Sequence, residues 1–323
     1  MSLALPEIKT ACPPIACDAI HVGMPKCGST FLQHIGFAQH PGINLIWEPG
    51  HKLFFELRDD VDSPGFDVDD YADRLREHVD ARSGDAEPDS KTVFSFEGFC
   101  GPHTTNRNDE LLAKTLQQLV GKTKIIFVVR EQYALLYSIW AQFIKEGGTA
   151  SIGEFFGDEN SPAQPGNPRE NIFLRVQYAA YVEKLVELFG SENVKVCFFE
   201  DFVADYQIFM KSLYQFVGVD DKFIPPNTVV WRGPNRYNAE FLRWLNCCST
   251  TKHGSGLLPY GFYIWYRQRF EKHIFPSRRL NPTLRHDVRK FVGPEHQQAI
   301  ALSNQSLSRI AARNLGELGY SVR

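Results

Sequence analysis

Asp18-Ala-Ile-His-Val-Gly23-Met-Pro25-Lys26-Cys27-Gly28-Ser29-Thr30 is the stretch on which the fold turns. Residues 18–23 read as a short strand ending in glycine. From Thr30 to Gln39, Phe31, Leu32, Ile35 and Ala38 share one face at helical spacing. A strand, a glycine-containing turn and a helix start make an anion site, because free backbone N–H groups and the positive end of the helix point at the ligand. Ser29 and Thr30 add hydroxyl donors, and Lys26 adds a point charge. A nucleotide triphosphatase turn reads Gly-x-x-x-x-Gly-Lys-[Ser/Thr]. Gly23 and Gly28 have that spacing, but Ser29 stands where the lysine belongs and the cation sits inside the turn. The departure points to another phosphate-bearing ligand. Cys27 at a helix start invites a thiolate phosphatase reading. That loop needs an arginine six residues on, and position 33 is Gln33. The competing reading is a plain strand-to-helix turn capped by Ser29, and these residues alone do not separate the two.

Outward from this stretch, Ile43 to Trp47 reads as a second strand, which Pro49 ends by biasing Glu48 toward an extended backbone. Thr92 to Phe96, Lys124 to Val129 and Val194 to Phe199 read as further strands. Helical spacing marks Glu110 to Val120, Tyr133 to Lys145, Ile172 to Phe189 and Gln207 to Val217, the last stopping at Gly218. Strands alternate with helices, and Ile125 to Val129 is continuously apolar. The expected fold is therefore α/β, a central parallel sheet flanked by helices. One domain over residues 1–323 is expected. It carries an acidic surface insertion near 58–90 around a helix from Val68 to Val79, and a Gly- and Pro-rich loop or lid at 147–170. A helical C-terminal part from about residue 235 is cut by Pro276, Pro282 and Pro294. Ligands of such sheets lie beyond the carboxyl ends of the strands.

The bulk numbers bound the function. At 43% hydrophobic and 23% charged, the chain is neither disordered nor fibrous. Lys plus Arg is 35 against 38 for Asp plus Glu, a net charge of −3, which argues against a general nucleic-acid coat. No apolar run approaches the roughly 20 residues of a membrane span. Pro6, Pro13 and Pro14 interrupt the N-terminus, so no signal peptide is read and a cytoplasmic location is expected. Seven cysteines without a Cys-x-x-Cys pair imply reduced thiols and no zinc site.

A second cation, Arg130, ends the strand Ile125 to Val129, and Ser138 follows eight residues later. An arginine at such a strand tip suits a second phosphate. The two side chains converge only if loop, rather than helix, follows Arg130. With this pair in hand, the sequence resembles the PAPS-dependent sulfotransferases, where PAPS is 3′-phosphoadenylyl sulfate. Pro25-Lys26-Cys27-Gly28-Ser29-Thr30 is similar to the family's 5′-phosphosulfate loop, and Arg130 with Ser138 to its 3′-phosphate pair. Val194-Lys-Val-Cys-Phe-Phe-Glu200-Asp201-Phe202 followed by Phe216-Val-Gly-Val resembles its late strand and helix.

The resemblance implies a P-loop-like sulfotransferase fold and sulfuryl transfer from PAPS to an acceptor, leaving PAP, without a metal. Lys26 would stabilise charge on the oxygen bridging phosphate and sulfur. A C-terminal loop, best matched by Trp231-Arg232-Gly-Pro-Asn-Arg236, would complete the cofactor site. It departs from the Arg-Lys-Gly of cytosolic members, which bears on Arg232. Trp231 would stack on adenine or be buried in the core.

A hydroxyl acceptor needs a base. Glu48 follows the second strand, 22 residues after Lys26, a placement resembling the heparan-type members, and His51 with Phe54-Phe55 continues the likeness. It would need a partly buried site and a raised pKa; the plain alternative is an ordinary strand-end carboxylate. His103 and Glu97 are the other candidates. His21, His34 and His253 have no spacing that selects them. The acceptor is expected to be a hydroxyl, with an amine as the alternative, of a carbohydrate or small polyhydroxy or alcohol compound, in a pocket shaped by the 147–170 loop and the aromatic run Tyr260 to Tyr266, which at helical spacing also suits a core. Two other readings stay open: a nucleotide-dependent kinase on the same loop, and a non-catalytic nucleotide-fold interaction module.

Overall fold

Continuously apolar strands can be buried only if both faces of their sheet are covered. In the computed structural model, which describes residues 13–47, 52–84, 86–101, 108–156, 168–226, 236–273 and 288–322, five strands form one sheet. They are β1 (Ala19–Gly23), β2 (Ile43–Ile46), β3 (Lys91–Ser95), β4 (Lys124–Val129) and β5 (Val194–Phe198). Their order is β2-β3-β1-β4-β5 and every pairing is parallel. His21 lies opposite Ser95 on one side and Ile126 on the other. All of β1 is buried, as is β4 beyond Lys124. Each isoleucine or valine buried there contributes about 1.5–3 kcal/mol relative to exposure. With β1 central, the loop after it sits at the carboxyl edge between the tips of β3 and β4.

The first turn after that loop departs from the expected helix of residues 30–39. α1 (Ser29–Phe31) runs directly into a π-helical turn, Leu32–Gly36, closed by Phe37 N–H donating to the Leu32 carbonyl at 2.7 Å. Gly36 allows a close approach there, since a Cβ would lie 2.9 Å from Met210 Cε. Between β2 and β3 run α2 (Lys52–Asp60) and α3 (Val68–Ser83). The segment read as a surface insertion buries Val68, Tyr71, Ala72, Leu75 and Val79 of α3, so only its outer face is acidic surface. Asp67 caps α3 by accepting from the N–H groups of Asp69 and Asp70.

α4 (Asp109–Val120) and α5 (Gln132–Lys145) flank β4 in sequence. The 147–170 stretch contains the short α6 (Ile152–Phe156) and the start of α7 (Pro168–Arg175). The single helix expected over 172–189 is broken: α7 ends at Arg175 and α8 (Tyr178–Phe189) begins after a non-helical Gln177. The break frees the Val176 carbonyl, which accepts from Gln132 Nε2 at 3.3 Å. After β5 come α9 (Phe199–Ala204) and α10 (Tyr206–Val217), which stops at Gly218 with φ 94° as the sequence predicts. Beyond are α11 (Arg236–Cys248), α12 (Tyr260–His273) and α13 (Pro294–Ile310). Pro294 starts α13 rather than cutting a helix, while Pro276 and Pro282 lie outside the described residues. Among the described residues no helix is long and apolar enough to cross a membrane.

Candidate active site

The turn after β1 takes a shape that ordinary residues resist. Gly28 has φ 90° and Lys26 has φ 66°. Glycine adopts the left-handed region freely, whereas lysine gives up about 1–2 kcal/mol there. Gly28 occupies the cap position of α1 with no side chain capping the helix; of the first three N–H groups, that of Phe31 turns back to the Gly28 carbonyl at 3.0 Å, which leaves those of Ser29 and Thr30 for a ligand. Pro25, Cys27 and Ser29 are buried, and Thr30 is half-buried. Burial pushes the Cys27 thiol well above its ordinary range, which favours the protonated thiol over the reactive thiolate.

Lys26 and Arg130 meet. Arg130 Nη1 donates to the Lys26 carbonyl at 3.0 Å and to Ser138 Oγ at 2.9 Å. Only 7% of Arg130 is exposed, and its guanidinium lies 4.6 Å from the Phe199 ring centre. Its Nε is buried without a hydrogen-bond partner. Burial pulls its pKa down, but a guanidinium stays charged. Tyr178 fixes the strand tip by donating to the Arg130 carbonyl at 2.7 Å. The loop thought necessary after Arg130 is a single residue: Glu131 caps α5, accepting from Tyr133 and Ala134 N–H, and the helix begins at Gln132. Ser138 still reaches back, because it sits on the second turn of α5 facing the tip.

The Lys26 ammonium donates to Gln142 Oε1 at 3.1 Å. Desolvation lowers its pKa, opposed by the charges of Glu97 and Glu146. At the tip of β3, Glu97 Oε2 accepts from Ser29 Oγ at 2.6 Å, which brings a carboxylate onto the turn after β1. Nearby His21 is buried, with Nδ1 2.8 Å from Ser95 Oγ and Nε2 unpartnered. Burial pushes it down to about 3, so it is neutral at ordinary pH. The Glu-Asp pair after β5 serves as an anchor. Glu200 accepts from Glu131 N–H at 3.0 Å and from Tyr320 Oη at 2.9 Å, and Asp201 holds the Arg313 fork at 2.7 Å.

The structure thus brings Lys26, Ser29, Arg130, Ser138 and Glu97 to one edge of the sheet. Glu48, His51, His103, Trp231 and Arg232 lie outside the described residues. In the aromatic run, Tyr263 and Tyr266 are core, whereas Tyr260 and Trp265 are exposed. Sequence reasoning missed Phe199, Tyr178 and Gln142. Gln142 was legible in principle, being one helical turn beyond Ser138. A desolvated ammonium on a neutral amide, a buried arginine with an unpartnered Nε and an uncapped helix start fit a ligand with two anionic groups.

Residues 17–228 match the family model described as the sulfotransferase domain. Among solved structures, the chain is similar to a sulfotransferase from Alicyclobacillus acidocaldarius, with TM-score 0.58 and 16% identity over 93% of this chain and 98% of that one. Looser likenesses are the sulfotransferase domain of the Synechococcus PCC 7002 olefin synthase (TM-score 0.45, 16% identity, 81% and 97% covered) and mouse sulfotransferase SULT7A1 complexed with PAP (0.39, 14%, 94% and 87%). No curated protein sequence matches this chain.

Proposed function

Since this chain belongs to the sulfotransferase-domain family and is a PAPS-dependent sulfotransferase, we propose that its loop and Lys26 hold the 5′-phosphosulfate, that Arg130 and Ser138 hold the 3′-phosphate, and that a hydroxyl of a small polyhydroxy or carbohydrate compound is the acceptor. PAPS supplies a sulfuryl group on a phosphate leaving group. As the acceptor oxygen bonds to sulfur, the bond from sulfur to the bridging oxygen breaks. Lys26 meets the charge gathering on that oxygen, and a base takes the acceptor proton. Rate then comes mainly from positioning and from fixed charge in a water-poor site.

The observation that carries this reading is Arg130 Nη1, which touches both the Lys26 carbonyl and Ser138 and so holds the second cation against the loop that carries the first. Thermal unfolding with PAP, AMP and ATP–magnesium tests it. PAP without metal is expected to raise the melting temperature, because a ligand at about 100 times its Kd adds about 2.7 kcal/mol to stability. A shift with ATP–magnesium and none with PAP would favour the kinase reading and reject this one.

For the base, the contact of Glu97 with Ser29 supports Glu97, and the resemblance supports Glu48, with His103 third. Glu97→Gln is expected to cut sulfuryl turnover by about 10²-fold or more while leaving PAP affinity nearly intact. Turnover is read by mass spectrometry over a panel of hydroxyl acceptors. Full activity in Glu97→Gln, with loss in Glu48→Gln or His103→Ala, moves the role to that residue.

A further inference from the structure

Gln142 has no part in the reading above, yet it is the direct partner of the loop lysine. An amide has an acceptor end and a donor end, and only the acceptor suits an ammonium. One turn along α5, Gln142 Nε2 donates to Glu146 Oε1 at 2.7 Å, which points Oε1 toward Lys26. The other Glu146 oxygen accepts from Lys252 Nζ at 2.6 Å. Lys252 belongs to the turn between α11 and α12, which is pinned to the end of α5. Thr251 Oγ1 donates to the Gly147 carbonyl at 2.8 Å. Asn246 Nδ2 donates to the Ile144 and Gly148 carbonyls at 2.7 and 2.8 Å, and Tyr266 Oη fixes Asn246 at 2.6 Å. Gly147, at φ 100°, has no room for a side chain, since a Cβ would lie 2.8 Å from Thr251 Cβ.

We propose that Gln142 is a positioning residue for Lys26, its amide set by Glu146 and, through Glu146, by Lys252. Helices beyond residue 228, where the sulfotransferase-domain match ends, thereby help to place the lysine of the phosphate loop. Four charges face Lys26: Glu97 and Glu146 of one sign, Lys145 and Arg130 of the other. Their opposition leaves the direct hydrogen bond to decide where the ammonium points. The use of this tie in catalysis rests on the function proposed above; the tie itself does not.

Two measurements on the full chain separate these levels. The first needs no ligand: the Lys26 side-chain resonance in protein carrying ¹³C-lysine, assigned by Lys26→Arg, is followed through a pH titration. In Gln142→Leu the midpoint is expected to fall, because the ammonium keeps its burial and loses its acceptor. In Gln142→Glu it is expected to rise. An unchanged midpoint in both overturns the tie. Both substitutions suit a half-buried helical position.

The second is calorimetric titration of PAP into a double-mutant cycle. Gln142→Leu is expected to weaken PAP roughly tenfold and Lys252→Met about two- to threefold, as an exposed ion pair allows. Lys252→Arg should behave as wild type, and Gln142→Leu with Lys252→Met should bind no worse than Gln142→Leu alone. Additive losses would show that Lys252 acts by its charge alone and would overturn the link through Gln142. Absence of PAP binding in the wild type rejects the proposed function, while the titration still judges the tie.

Discussion

Arg130→Ala is expected to weaken PAP at least about 100-fold in calorimetric titration, the largest binding loss of any single substitution at this site. The guanidinium is buried and already placed, with one nitrogen on the Lys26 carbonyl and on Ser138 and another unpartnered. A hydrogen bond to a charged group is worth about 1.5–3 kcal/mol, and each 1.4 kcal/mol is tenfold in affinity. Losing two such bonds to a phosphate therefore passes 100-fold. Arg130→Lys keeps the charge but loses the fork, and its expected loss is roughly tenfold. Unchanged PAP affinity in Arg130→Ala would show that the 3′-phosphate lies elsewhere.

The largest kinetic loss belongs to Lys26→Ala, expected to cut turnover about 10²- to 10³-fold, the usual cost of removing one donor from a developing oxyanion. PAP affinity should fall less, because the loop N–H groups and Arg130 remain. Alanine tolerates φ 66° no better than lysine does, so the turn keeps its shape and the loss reports the ammonium. In the wild type, turnover should decline as pH rises through the lysine's pKa, which desolvation has lowered. The sign follows from charge: the role proposed for Lys26 needs the protonated form, present below that pKa and lost above it. An alkaline limb unaltered by Lys26→Ala, with turnover retained, would remove Lys26 from the chemistry.

Much of this was readable in the sequence because it is local. The strand, turn and helix start of residues 18–30 need only apolar runs and glycine spacing, and Arg130 with Ser138 needs only a strand end and a helix. What stayed hidden has physical causes. Over one turn, apolar spacing does not separate an α-helix from the π turn at Leu32–Gly36. The break at Gln177 has neither glycine nor proline to announce it, being drawn by tertiary contacts such as Gln132 on the Val176 carbonyl. In α3 the charged residues outnumber the apolar ones, yet Tyr71, Leu75 and Val79 sit at helical spacing and are buried. Glu97 directly follows the strand read at Thr92 to Phe96, but its contact with Ser29 spans 68 residues of chain, which no local pattern encodes.

Position 26 also carries a lesson about trade-offs. A chain tuned only to resist unfolding would place glycine where φ is 66°, relieving about 1 kcal/mol of conformational penalty at no geometric cost. Here a cationic side chain occupies that awkward spot, and on the role proposed for Lys26 part of the molecule's robustness goes to reactivity. Stabilising this protein with glycine at position 26 is then expected to disarm it.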